Sequence, residues 1–340
     1  MKRTVYRIPD GCALCEDGRL AEYLDLREET QSGDIVLARV DRIMRGMDCA
    51  FADIGRRKDG FLPLKENSSS FTDKPVCSGD RFAVQIRREE TGEKGAFLSR
   101  DLTIPGKAVI LMPKNRYIGV SSRITDETTR AGLLETGKRI ADGRYGLVMR
   151  TASEHMPEEA IRAETEELAG IWEKIREAGK NARNPGEILY ASDPAAQLIR
   201  DYDIPETDII RADAMPADLM KQLAASAERK VRLPGGGNIV IDRCEAMTVI
   251  DVNSASSALP QDKETTVTET NLEACEEAAI RIRLLDIAGI ILIDFIDMEK
   301  EENRNRVAER LKEVFGRDRR KTVVHGWTKL GIMEMTRKRI

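Results

Sequence analysis

Two apolar runs that each end in an acid, separated by one helix-length segment, constrain this chain more than any other feature. Met247-Thr-Val-Ile-Asp251-Val-Asn253 and Ile290-Ile-Leu-Ile-Asp294 both read as β-strands. Between them, residues 264–288 carry apolar side chains at helical spacing (Leu272, Cys275, Ala279, Ile282), with Gly289 placed as the helix stop. A strand–helix–strand unit of this kind sets its two strands parallel in one sheet, with a right-handed crossover. Both acids then emerge at the carboxyl edge, where open α/β sheets bind ligands.

Side chains alternate along a strand, so Asp251 and Asn253 share one face while Thr248, Ile250 and Val252 share the other. By the same count Asp294 lies with Ile290 and Leu292, and Ile293 and Phe295 point away. Two carboxylates and an amide on rigid strands suit Mg²⁺, a hard cation that takes oxygen ligands and keeps several waters. Either acid alone reads equally as a turn or cap residue; the joint arrangement points to a site. Asp297 faces the other way if the strand continues, and ranks below Asp294.

At 340 residues the chain has room for two or three domains. Charged residues make up 34% and aromatics 4%, with a net charge of −4, which argues against a uniformly basic nucleic-acid binder. Any such function must use local basic patches and a metal. No apolar run approaches membrane-spanning length, and the start has no signal-like segment, so a cytoplasmic protein is expected. Cys12 and Cys15 form half of a zinc motif with no second half, and the six cysteines read as reduced thiols; no structural zinc is expected.

Residues 1–30 read as a short pair of strands and an acidic linker. Several short strands with Gly and Asp turns follow, at 33–43, 47–55, 59–64, 80–87 and 94–99, the pattern of a small OB-type barrel. Phe51 and Phe61, flanked by Arg56, Arg57, Lys58 and Lys94, match the aromatic-plus-basic pattern of single-stranded nucleic-acid binding. The sequence leaves two places open for both rings, the barrel core or an exposed stacking face. Beyond it come strands near 108–112 and 146–151. A helix then runs from Pro157 to near Lys180, burying Ile161, Leu168, Trp172 and Ile175. Arg150 and Thr151 offer phosphate donors, although taken alone Arg150 reads better as one half of a surface salt bridge. Residues 189–232 read as helical, and the Gly235-Gly236-Gly237 run as a turn. The basic tail, residues 318–321 and 336–339, is either a solvated face or a phosphate-holding one.

Taken together these strings resemble the ribonuclease E/G family over nearly the whole length. The resemblance is carried by Val231-Arg-Leu-Pro-Gly-Gly-Gly-Asn-Ile-Val-Ile-Asp, Ile250-Asp-Val-Asn-Ser-Ala, Asn271-Leu-Glu-Ala, Ile293-Asp-Phe-Ile-Asp-Met and Leu330-Gly-Ile-Met-Glu-Met-Thr-Arg-Lys-Arg. Phe51-Ala-Asp-Ile-Gly and Gly60-Phe-Leu-Pro-Leu-Lys-Glu match the family's embedded RNA-binding barrel.

The resemblance implies an α/β, multidomain (α+β) architecture. An OB-type β-barrel (32–101) is inserted in a split ribonuclease-H-like subdomain (1–31 and 187–230), beside a 5′-end sensor region (102–186). A DNase-I-like catalytic α/β subdomain (231–340) follows. It also implies a Mg²⁺-dependent endoribonuclease, with Mn²⁺ as a possible substitute. Such an enzyme cuts single-stranded RNA in RNA processing or decay, leaving 5′-phosphate and 3′-hydroxyl ends. By that match Asp251 and Asp294 hold the metal, Asn253 orients Asp294, Phe51, Phe61 and Lys94 contact RNA, and Arg150 and Thr151 grip a 5′-monophosphate.

The departures carry expectations of their own. The sequence stops at Ile340, before the Cys-Pro-x-Cys zinc link of similar chains, so a monomer or weak homodimer is expected. Ser122 stands where an arginine is usual, and Ala152-Ser153-Glu154 brings negative charge near Thr151, so 5′-end preference is expected to be weak. Residues 189–231 look shorter than usual, as if the ribonuclease-H-like part were trimmed. Two rivals remain: an RNA-binding protein of the same fold that does not cut, and a metal-dependent DNA nuclease.

Overall fold

The computed structural model describes residues 1–26, 32–64, 75–90, 94–254 and 263–338. The chain forms two compact units, residues 1–27 with 204–339, and residues 28–203. The expected linker between the first strands and the barrel lies largely outside the described residues, as do Lys65, Glu66 and Arg339.

The chain opens as three antiparallel strands, β1 (Arg3–Ile8), β2 (Gly11–Glu16) and β3 (Arg19–Asp25), one more than the sequence suggested. The middle strand is buried on both faces, and its Cys12 and Cys15 are buried and not joined in a disulfide. Burial, with the charge of Asp218 adding, pushes the Cys15 thiol up to about 11, which keeps it protonated.

The second unit begins with the barrel: β4 (Ile35–Met44), β5 (Cys49–Asp53), β6 (Gly60–Pro63), β7 (Arg81–Arg88) and β8 (Phe97–Ser99). The strands pair in the cycle β4–β5–β6–β8–β7–β4, so these five close on themselves. Small and branched side chains fill it: Val36, Ala38, Val40, Ala50, Ala52, Leu62, Val84, Ile86 and Leu98. This is the OB-type closed barrel expected from the strand spacing.

A four-stranded sheet follows, from β9 (Ile104–Pro105), β10 (Val109–Met112), β11 (Ile118–Val120) and β12 (Gly146–Met149), with α1 (Glu127–Ala141) between the last two. α1 has no counterpart among the elements expected from the sequence. Its signals were present: the Asp126 carboxylate caps the Thr129 N–H, and Leu133, Gly137, Ile140 and Ala141 recur on one buried face. α2 (Glu158–Asn181) buries Ile161, Leu168, Trp172 and Ile175 as their spacing predicts. β13 (Ile188–Tyr190) then pairs with β4, and α3 (Pro194–Asp201) starts on the Asp193 cap. The expected helical stretch at 189–232 is therefore broken by strands: β13, β14 (Ile209–Arg211) and β15 (Lys230–Arg232) all fall in or against it, around α4 (Ala217–Ser226).

In the first unit β14 pairs parallel with β1. A second, six-stranded sheet runs β15, β16 (Asn238–Arg243), β17 (Met247–Asn253), β18 (Gly289–Asp294), β20 (Met333–Arg337), β19 (Thr322–Trp327) in spatial order. Helix α5 (Lys263–Leu284) crosses from β17 to β18, and α6 (Glu301–Gly316) follows. Gly289 is not the helix stop. The helix ends at Leu284, Asp286 takes the left-handed conformation, and Gly289 opens the next strand. The glycine run is a turn between β15 and β16: Gly236 has φ of 97°, and the Gly237 carbonyl accepts from Leu233 at 2.8 Å. Among the described residues no helix is long and apolar enough to cross a membrane.

The basic tail is not a single solvated or phosphate-holding face. Arg319 is buried against Glu22, and Arg320 pairs with Asp286. Arg337, 1% exposed at its side chain, donates to Asp318 at 2.6 Å and to the Ile287 carbonyl at 2.9 Å. These cations hold the C-terminal strands onto the unit.

Candidate active site

Strands β17 and β18 run parallel with Asp251 directly opposite Asp294, the last pair of the ladder. Their alternate residues Thr248, Ile250, Val252, Ile291 and Ile293 are buried. That face packs on α5 and α6 through Ala274, Cys275, Ala278, Ile282, Val307, Leu311 and Phe315. The opposite face leaves both carboxylates exposed. Neighbouring strands lie about 4.8 Å apart, so the two acids are close enough to share one cation. The strand ends at Asp294, and Asp297 sits in the segment beyond it.

The surroundings hold the pair in place. Asn253 lies on the same face, and its Nδ2 donates to Asp251 Oδ2 at 2.6 Å. Its bond is thus made to Asp251, not to Asp294 as the resemblance implied. Asn271, fully buried on α5, donates to the Ile296 carbonyl at 2.8 Å and accepts from the Ile296 N–H at 3.1 Å. That double bond of side chain to backbone fixes the segment leaving Asp294. Glu264 accepts from the Glu299 and Lys300 N–H groups and from Asn303, and these bonds lower its pKa. Asn238 is a further polar residue beside the pair. It stands opposite Asn253 across the β16–β17 ladder, and its Oδ1 is shut from solvent with no hydrogen-bond partner among the described residues. No sequence spacing marks it, because the contact is across strands.

All of these donors are oxygen or amide. Among the described residues no group of three His, Cys, Asp or Glu side chains gathers. Two carboxylates could serve a hard divalent cation that keeps waters as its other ligands, and fit poorly the closed N/S cage of structural zinc.

On the barrel, Phe51 and Phe61 are half-buried on the outer face, while their neighbours Ala50, Ala52 and Leu62 point inward. They are register partners on adjacent strands, with ring centroids 5.9 Å apart and planes at 75°. The Arg42 guanidinium lies 5.0 Å from the Phe51 ring centre. Lys94 is exposed, just ahead of Gly95, whose backbone is pressed against the Asp59 carbonyl so closely that no side chain fits there. Arg56 of the basic turn is paired with Glu89 at 2.7 Å.

Arg150 and Thr151 follow β12. The Arg150 side chain is largely shielded: one Nη donates to the Gly106 carbonyl at 2.7 Å and the other pairs with Asp201. Thr151 is exposed at the start of a 3₁₀ turn, and Ser153 closes that turn by donating to the Arg150 carbonyl at 2.6 Å. Arg200 is nearby. Burial lowers its pKa, with the like charge of Arg150 adding, and its Nε has no hydrogen-bond partner among the described residues.

The sequence matches the ribonuclease E/G family over residues 103–217 and 214–340. It is 31% identical to ribonuclease G of Escherichia coli strain K12, across 95% of this chain and 76% of that protein. It is 33% identical to ribonuclease G of Haemophilus influenzae, across 96% and 77%. With ribonuclease E of Haemophilus influenzae it shares 32% identity, across 95% of this chain and 40% of the longer relative. A match of this extent, on a chain whose barrel and acid-bearing strands are those described above, places the protein in the ribonuclease E/G family.

Proposed function

We propose that this chain is a Mg²⁺-dependent endoribonuclease that hydrolyses single-stranded RNA to 5′-phosphate and 3′-hydroxyl ends. Membership of the ribonuclease E/G family and identity to relatives named ribonuclease G support an enzyme acting on RNA. The observation that carries the chemistry is the in-register pair Asp251 and Asp294 on the open face of a sheet whose other face is packed.

Asp251 and Asp294 would hold Mg²⁺, which when bound acidifies a water and screens the attacked phosphate. Asn253 keeps Asp251 in one rotamer, so the first carboxylate meets the ion without reorganising. Asn271 does the same for the backbone after Asp294. Water adds at phosphorus, the bond to the ribose 3′ oxygen breaks and that oxygen takes up a proton, so the upstream fragment ends in a 3′-hydroxyl and the new oxygen stays on the 5′-phosphate of the downstream fragment. Phe51 and Phe61 stack unpaired bases, worth about 1–3 kcal/mol each, and Arg42 and Lys94 offer charge to the backbone. Local cations and aromatic faces thereby let an acidic chain bind a polyanion.

The test is cleavage of an end-labelled single-stranded RNA with Mg²⁺ and with EDTA, followed by end analysis. Cutting only with Mg²⁺, leaving ligatable 5′-phosphates, is expected. Equal binding in both buffers with no shortening at any Mg²⁺ concentration would replace this reading with a non-catalytic RNA-binding protein. Cleavage of the matching DNA would replace it with a DNA nuclease.

A second expectation concerns the 5′ end. A phosphate gripped by Arg150 and Thr151 must compete with Asp201 for the guanidinium. The parent should therefore cut 5′-monophosphorylated and 5′-hydroxyl RNA at similar rates. Asp201→Asn removes the competing charge, and should raise the ratio of the two rates on the order of tenfold, the worth of one charge-assisted hydrogen bond. An unchanged ratio would remove Arg150 from any role at the RNA end.

A further inference from the structure

Phe51 and Phe61 are part of a longer row. Phe61 is also the register partner of Phe97 on β8, with ring centroids 5.8 Å apart and planes at 33°. Phe97 in turn stands opposite Arg88 on β7, whose guanidinium lies 5.2 Å from the Phe97 ring centre. At the other end Arg42 on β4 stands opposite Phe51. One side chain from each of the five barrel strands therefore lines up as Arg42, Phe51, Phe61, Phe97, Arg88. The three rings are spaced almost evenly, at 5.9 and 5.8 Å, with a guanidinium at each end.

The row does not serve the barrel core. All three rings are half-buried, and none belongs to the cluster that fills the interior; Phe82 does pack against that cluster. Arg42 and Arg88 place a cation at each end of the row, the arrangement that suits a polyanion whose bases stack on the rings. Nothing in the short run Gly95-Ala-Phe-Leu-Ser marks which face Phe97 takes, and only the β6–β8 pairing shows which way the ring lies.

We propose that Phe97 is a third base-stacking position, so that the barrel holds three successive unpaired nucleotides across β5, β6 and β8. Arg42 and Arg88 close the two ends through the flanking phosphates or stacked base faces. The inference rests on the reading of the barrel as an RNA-binding element, and extends it from two rings to a row of defined length.

The test is binding of a fluorescent oligouridylate to the 340-residue chain in EDTA, which prevents cleavage. Phe61→Ala and Phe97→Ala should each weaken binding about tenfold, within the range of one lost stacking contact. Phe97→Leu, which keeps apolar volume but no ring, should be nearly as weak as Phe97→Ala, and Phe97→Trp should bind at least as well as the parent. If Phe97→Ala fails to fold, the Leu and Trp variants decide the matter alone. Parental binding by Phe97→Leu beside a weakened Phe61→Ala overturns the third position and leaves the RNA-binding barrel standing. Parental binding by Phe61→Ala overturns the barrel reading, and this inference with it.

Discussion

Asp294→Asn stops RNA cleavage and leaves RNA binding unchanged: that is the largest expected effect in this protein. The substitution is isosteric and removes one negative charge from an exposed position, so no buried packing is disturbed. What it does remove is half of the paired carboxylate that faces Asp251 across the ladder. Loss of several kcal/mol of metal-assisted stabilisation corresponds to a fall in rate on the order of 10²–10³-fold or more. Asp251→Asn should fall as far, and it also loses the charged acceptor of the Asn253 amide. Single-turnover cleavage of a labelled RNA measures the effect, and binding in EDTA shows that the RNA still reaches the protein. If either variant cuts within a few-fold of the parent, the activity belongs to other residues.

Arg337→Met should cost about 3–5 kcal/mol of stability, the penalty for stranding one member of a buried ion pair. Arg337 and Asp318 are both 1% exposed at their side chains. The guanidinium donates to both Asp318 oxygens, at 2.6 and 3.3 Å, and also to the Ile287 carbonyl. Without it the Asp318 carboxylate loses the charge that balances it, and the Ile287 carbonyl loses a donor. Urea unfolding would read the change, and a loss below about 1 kcal/mol would mean that water replaces the guanidinium. Changing Asp318 to Asn together with Arg337 to Met should recover part of the loss, because the stranded Asp318 charge is then removed as well.

The contrast between these two sites shows how much was legible beforehand. The Asp251 and Asp294 arrangement could be read because it depends on local periodicities: alternation within each strand, and a crossover helix that forces the strands parallel. Arg337 could not. A basic run near the C-terminus looks like surface, and nothing local announces that Asp318, Asp286 and Glu22 will fold onto Arg337, Arg320 and Arg319. The missed helix α1 is a different kind of failure, since its cap and apolar stripe lie in plain view at Asp126, Leu133, Gly137 and Ile140. Gly289 shows the hazard of treating glycine as punctuation, because the left-handed turn was taken by Asp286 three residues earlier.

By itself the sequence determined that a barrel of short strands precedes a strand–helix–strand unit, and that each acid-bearing strand buries one face and offers the other. These follow from bond geometry along a single segment, with periods of two and 3.6 residues. Only the tertiary structure decided that Asp251 and Asp294 meet in register, that the Asn253 amide serves Asp251, and that Arg150 is held by Asp201. Only it decided that Phe51 and Phe61 face outward in a row that also includes Phe97. Each of these is a choice of partner across strands or between distant segments. Such choices are set by how side chains of the whole unit pack together, and no periodicity within one segment contains them.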